Sequence, residues 1–371
     1  MRLLFVSHDS HLNGGAQKCL FDLVRGIKVA HPESEIYMIF PAQGDMIEQC
    51  QPYITGYKII KSRWWLTDKR VSLKAQVIFV LKALKAALMI ALYCHKVKPD
   101  YGLTNTVVFP SFALSCRLLG IKHIWFIHEM PLTWSNIHFM FNQATIFKWV
   151  NSLSSKILVT SNYSQLYYQQ YITPSKVEEI CQAVEFNHLN PLSQKHPRYT
   201  ISLIGTFDLN KGQMELLEAI NRIVDQGRDI HCQLIGNDCG TMEQCKAYIE
   251  QNKLSKEVSI IPFTNDIQRC YWQSDVVVVC STSETFGRVA VEAQKCGLPL
   301  ILSNVGANPE RVKDGINGLL YQKGNIGDLV NKIEQLRDST TRLRFANGIK
   351  ASELEKYSMA YFVSAFVEQL P

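Results

Sequence analysis

"VVVVCSTSETFGRVAVEAQKCGLPLILS", residues 276–303, contains a strand, a loop, a helix and a second strand in succession. The run 276–281 is apolar and β-branched without alternation, as expected of a strand buried on both faces. "PLILS" (299–303) reads as the next strand, and the segment between them as a helix opening near Gly287. Glu284 and Glu292 stand eight apart in this otherwise apolar setting. With the first strand ending near Ser281, Glu284 falls in the loop at its carboxyl end, where open α/β sheets bind ligands.

The same alternation extends in both directions. Strands are expected at "LLFVS" (3–7), "EIYMIFP" (35–41), "YGLTNT" (101–106), "HIWFIHE" (123–129) and "SKILVTS" (155–161). The pattern restarts with "HPRYTISLIGTF" (196–207), followed by "IHCQLIG" (230–236) and "VSIIPF" (258–263). Repeated strand–helix units argue for parallel, doubly wound sheets. The expected fold class is therefore α/β, with two Rossmann-like domains in series. The first covers 1–193 and the second 194–356, with the join near 190–198. The terminal helix "SMAYFVSAFVEQL" (358–370) is expected to cross back, assigning 357–371 to the first domain. A chain of 371 residues suits two such cores.

Composition narrows the classes further. With 47% hydrophobic and 19% charged residues the chain is globular, and its eleven cysteines include no CxxC pair. Cys116, Cys280 and Cys296 sit in apolar surroundings, as buried thiols of a reducing compartment do. The N-terminus "MRLLFVSHDS" lacks a cleavable leader pattern, so a cytoplasmic location is expected. Residues 1–200 carry 21 Lys and Arg against 12 Asp and Glu, whereas residues 201–371 carry 18 against 21. The basic excess is densest in "YKIIKSRWWLTDKRVSLK" (57–74), where two tryptophans are interleaved. That combination suits an anionic membrane surface, although a solvated loop with inward tryptophans has the same composition. The following helix-like segment, 71–98, has an uncharged run of only Ala86–His95. A run that short is not expected to span a bilayer, so the segment reads as a core helix or one resting on a membrane.

Positions just after the strands supply the site candidates. Gly14 and Gly15 lie at the mouth of a helix, where bare N–H groups favour an anion, yet neither GxGxxG nor a Walker A lysine is present. His128 ends its strand, placed to hold hydroxyls or simply to serve as a satisfied loop histidine. In "IGTFDLNKGQMELLEAI" (204–220), Gly205 lets the chain leave the strand and Lys211 stands near the next helix, a compact charge suited to phosphate. Glu284 and Glu292, with the helix N-terminus at Phe286 and Gly287 between them, suit a ligand with hydroxyls at both ends and a diphosphate in the middle. A sugar nucleotide is such a ligand.

Glu284-x7-Glu292 followed by "GLPLILSNVGANPERVKDGINGLL" (297–320) resembles the signature of the retaining GT-B glycosyltransferases of family 4, the group 1 glycosyltransferases. Gly205, Lys211-Gly212, Gly14-Gly15 and His128 fall in matching order, and the resemblance is strongest from about 200 to 320. It implies two Rossmann-like domains facing across a cleft. It also implies an enzyme that moves a hexose from a nucleotide diphosphate sugar, UDP above all. The basic, Trp-bearing stretch 57–74 favours a lipid-linked or polysaccharide acceptor and a peripheral place at the inner face of the cell membrane. By resemblance His128, Lys211 and Glu284 are catalytic. Gly15, Gly205, Thr206, Lys211, Phe286, Gly287, Arg288 and Glu292 bind the donor. No metal, other cofactor or nucleic-acid partner is implied. Thr206 departs from the pattern, since the family usually has a cation there; Arg288 is the candidate replacement. The competing reading is a non-catalytic GT-B subunit that binds glycan or a partner protein.

Overall fold

Two parallel sheets organise the chain, one in each of two compact units. The computed structural model describes residues 1–68, 71–131, 137–186, 198–264 and 266–371. The first unit is Met1–Ala183 with Lys356–Pro371, and the second is Val184–Glu355. The join expected at 193/194 lies outside the described residues.

In the first unit, β1 (Arg2–Val6), β2 (Glu35–Phe40), β3 (Gly56–Ile59), β5 (Tyr101–Asn105), β6 (Lys122–Phe126), β8 (Lys156–Val159) and β9 (Val177–Glu179) form the sheet, in the order β3-β2-β1-β5-β6-β8-β9. Every pairing in it is parallel, which requires a crossover between consecutive strands. Two further strands, β4 (Leu66–Thr67) and β7 (His138–Phe139), make a separate antiparallel pair. Helix Gly15–Ala30 covers part of one face, burying Leu20, Leu23, Val24 and Ile27. The terminal helix Met359–Glu368 packs on it, because Gly26 has no side chain where a Cβ would lie 2.5 Å from the Met359 sulfur. Phe362 and Phe366 complete that core.

The second sheet has the order β12-β11-β10-β13-β14-β15, again all parallel. Its strands are β10 (Thr200–Ile204), β11 (His231–Ile235), β12 (Val258–Ile261), β13 (Val276–Val279), β14 (Leu300–Ser303) and β15 (Gly318–Tyr321). The chain builds outward from β10 in one direction and from β13 in the other. Between these two strands the order reverses, which opens a crevice at their carboxyl ends. β1 and β5 are the corresponding pair in the first sheet.

Helix Leu73–Val97 falls within the helical segment expected at 71–98. It runs 25 residues, capped by the Ser72 hydroxyl accepting from the Ala75 N–H, and by length and composition it is long and apolar enough to cross a membrane. Helical periodicity decides which of its residues share a face. Phe79, Ala83, Ala86, Ala87, Ile90, Cys94 and Val97 form its buried line.

Candidate active site

The four valines of β13 are buried. The chain then turns outward through Glu284 and Phe286 to Gly287, which caps helix Arg288–Lys295 with φ 84°. On the neighbouring strand, the loop after β10 is laid directly on this segment. Thr282 N–H donates to the Asn210 carbonyl at 2.7 Å. Gly212, at φ 71°, passes so close that a Cβ there would lie 2.1 Å from the Cys280 carbonyl oxygen. The two loops thereby enclose a pocket at the crevice, lined by Ile204, Lys211, Cys280, Glu284, Gly287 and Val289 among others.

Within it Lys211 Nζ lies 3.5 Å from Glu284 Oε2. The Glu284 carboxylate holds the lysine pKa above its ordinary value against the opposing effect of burial, with Asp208 assisting. The ammonium therefore stays charged. Glu284 is fixed from behind: its carbonyl accepts from Ala307 N–H at 2.8 Å. Gly306 approaches so closely that a Cβ would sit 2.3 Å from that carbonyl oxygen.

Glu292 is the fifth residue of the following helix. Tyr271 Oη donates to its Oε2 at 2.7 Å, and Arg288 Nε lies 3.9 Å from its Oε1. Burial first, and then Glu292, push the Tyr271 phenol well above its usual range, so it remains a neutral donor. Arg288, the candidate replacement cation, thus faces Glu292. Thr206 donates from its hydroxyl to Asp208 Oδ2 at 2.5 Å and accepts at its carbonyl from Gln213 Nε2 at 2.8 Å; it shapes the loop. Gly205 joins the loop to the sheet by donating its N–H to the Ile235 carbonyl at 2.9 Å. A buried cation not singled out from sequence is Arg311. Its guanidinium stands 5.1 Å from the Phe286 ring centre and 3.0 Å from Glu310.

The first unit holds the other two candidates. Gly15 opens its helix after Gly14, with no side-chain cap on the first turn. His128 is held by residues not singled out from sequence: Gln182 Nε2 donates to its Nδ1 at 3.3 Å, so its Nε2–H donates to Asn105 Oδ1 at 2.8 Å. Asn105 Nδ2 in turn donates to the Ala16 carbonyl at 3.0 Å, linking the histidine to the glycine-led helix. The structure therefore gathers Lys211, Glu284 and Gly287 around one pocket, with Arg288 and Glu292 paired beside it. Gly15 and His128 are joined through Asn105 in the other unit. Among the described residues no group of three or more His, Cys, Asp or Glu is placed to hold a metal.

Glu129 turns its carboxyl onto the Val107 and His128 N–H groups, at 3.3 and 3.2 Å. Burial raises its pKa from 4.5 to about 7 despite these bonds. Protonation then favours the folded state, and that stabilisation is lost as pH rises from about 4.5 through about 7. Glu129→Gln cannot ionise, so its Tm should exceed that of the wild type at pH 8 and converge with it at pH 4–5. The gain is about 2 kcal/mol once partial solvent screening is allowed for; calorimetry across pH reads it.

Two Rossmann-like halves, each with a crevice where its strand order reverses, place the chain in the GT-B fold class. Residues 186–351, most of the second unit, match the family described as glycosyl transferases group 1. It is 29% identical over 174 residues to a D-inositol 3-phosphate glycosyltransferase of Mycobacterium sp. (strain JLS), a match covering 44% of this chain and 40% of the relative. It is 30% identical over 213 residues to an uncharacterized glycosyltransferase of Methanocaldococcus jannaschii, 57% of each chain. The matches thus span about two-fifths to three-fifths of these relatives. The fold extends further: the crystal structure of Anabaena HepE in complex with UDP superposes with a TM-score of 0.78 over 100% of this chain and 99% of that one, at 20% identity.

Proposed function

We propose that this protein transfers a hexose from UDP-sugar to a lipid-linked or polysaccharide acceptor with retention of anomeric configuration. The observation that carries the reading is the Lys211–Glu284 pair in the pocket between β10 and β13. The diphosphate of the donor carries more negative charge than one carboxylate and competes for Lys211. Glu284, released, accepts from hydroxyls of the sugar. Glu292, with one oxygen on Tyr271, binds the ribose diol through the other. The N–H groups at Phe286, Gly287 and the helix beyond favour the phosphate. Relatives named for glycosyl transfer, and a neighbour solved with UDP and with UDP-glucose, support a nucleotide-sugar donor.

In the transfer step the bond from the anomeric carbon to the β-phosphate oxygen breaks, and the acceptor oxygen bonds to the same face. The acceptor proton passes to the departing phosphate. Glu284 orients the sugar and does not attack it. Lys211 and the helix N-terminus stabilise the leaving charge, so no divalent cation is required.

Thr206 favours a second reading, a non-catalytic glycan-binding subunit, because a neutral hydroxyl stands where a cation usually does. Incubation with UDP-hexose in EDTA, followed by NMR, separates the two. UDP release with an α-linked product from an α-linked donor supports retaining transfer, a β-linked product overturns retention, and no release under any condition favours the subunit.

A further inference from the structure

Helix Leu73–Val97 carries a second apolar face that nothing in the chain covers among the described residues. Leu73, Val77, Leu81, Leu84, Leu88 and Leu92 are each 50–79% exposed. Their spacing of three or four puts them in one band opposite the buried line of Phe79, Ala83, Ala87 and Ile90. Burying side chains of this size stabilises by roughly 1.5–3 kcal/mol each, and contiguous exposed patches of this kind mark interaction surfaces. Along one edge of the band runs a second line, in which Lys74, Lys82, Lys85 and Lys96 are exposed. The helix has no aspartate or glutamate.

We infer that this face docks the protein on an anionic lipid bilayer, with the helix lying in the plane of the interface. The apolar band enters the acyl boundary while the lysines reach back to the phosphates. Adjoining chain supplies the same chemistry. Ile60 packs in one cluster with Ile90 and Cys94 of the helix, and its neighbours in the chain include exposed Lys58, Lys61, Arg63 and Trp64.

The same observations argue against the other occupants. A spanning helix would strip Phe79, Ile90 and Cys94 from the first unit's core and place Lys82 and Lys85 near mid-bilayer, at a cost of about 2.5–3.5 kcal/mol each or more. A two-fold contact with a second copy would set this line of lysines against itself, with no acid on the helix to pair them. Membrane docking is independent of the donor chemistry.

The test is co-sedimentation of the full chain with phosphatidylcholine vesicles, with and without phosphatidylglycerol. Wild type should pellet with the anionic vesicles, lose about ten-fold or more in partitioning at high salt, and be released by alkaline wash. Leu81→Ser/Leu88→Ser and Lys82→Glu/Lys85→Glu should each weaken partitioning about ten-fold or more, with unchanged Tm and UDP binding, since all four positions are exposed. Equal pelleting by wild type and both variants would overturn the proposal. So would retention after alkaline wash, which indicates a span, or a concentration-dependent dimer in light scattering that Leu81→Ser/Leu88→Ser abolishes.

Discussion

Lys211→Met is expected to lower kcat/KM for UDP-sugar turnover by about a hundred- to a thousand-fold, the usual effect of removing one preorganised stabiliser of developing charge. In the proposed transfer, departure of the sugar leaves a diphosphate whose charge grows in the transition state, and Lys211 is the cation lining the pocket to which the proposal assigns it. The same change should barely move Tm. At 3.5 Å, with the lysine side chain 32% exposed, the pair with Glu284 is worth under about 1 kcal/mol. Steady-state UDP release beside a melting curve separates the two quantities. An equal loss of stability and activity would make Lys211 a structural residue instead.

Gly212→Val should destabilise the second unit by about 3 kcal/mol or more. Valine is strained at φ 71°, by about 1–2 kcal/mol. Its Cβ would also lie 2.1 Å from the Cys280 carbonyl, an overlap that can be relieved only by separating the two loops. Separation removes the Thr282–Asn210 bond and shifts Lys211 from Glu284, so donor affinity should fall with stability. Calorimetry and UDP titration of the same variant check both effects. A variant with wild-type Tm would show that the loops are not held by this contact.

These positions mark how far the sequence could be read. β13 and its helix are legible because four consecutive valines, a glycine cap and an amphipathic turn are local signals. Edge strands β3 and β9 are not. "GYKI" and "VEE" are partly exposed and polar, and they become strands only through pairing with β2 and β8. The glutamates and Lys211 could be named as candidates, but their meeting depends on β10 lying beside β13, and strand order is a non-local property. Asn105 and Gln182 escaped for the same reason: they reach His128 across 23 and 54 residues of chain. Arg311 was visible only as part of a longer motif, because nothing local says that its guanidinium folds inward over Phe286. The helix Leu73–Val97 was legible as a helix, whereas the single line formed by its lysines follows only from helical periodicity and not from a count of uncharged residues.

The most direct test of the central claim is isothermal titration of UDP into the wild type and Glu292→Ala. The account predicts binding to the wild type and at least ten-fold weaker binding to the variant, whose ribose partner is gone while Lys211 and Glu284 remain. Absence of UDP binding to the wild type, or equal affinity in the two proteins, would contradict a nucleotide-sugar site built from these residues.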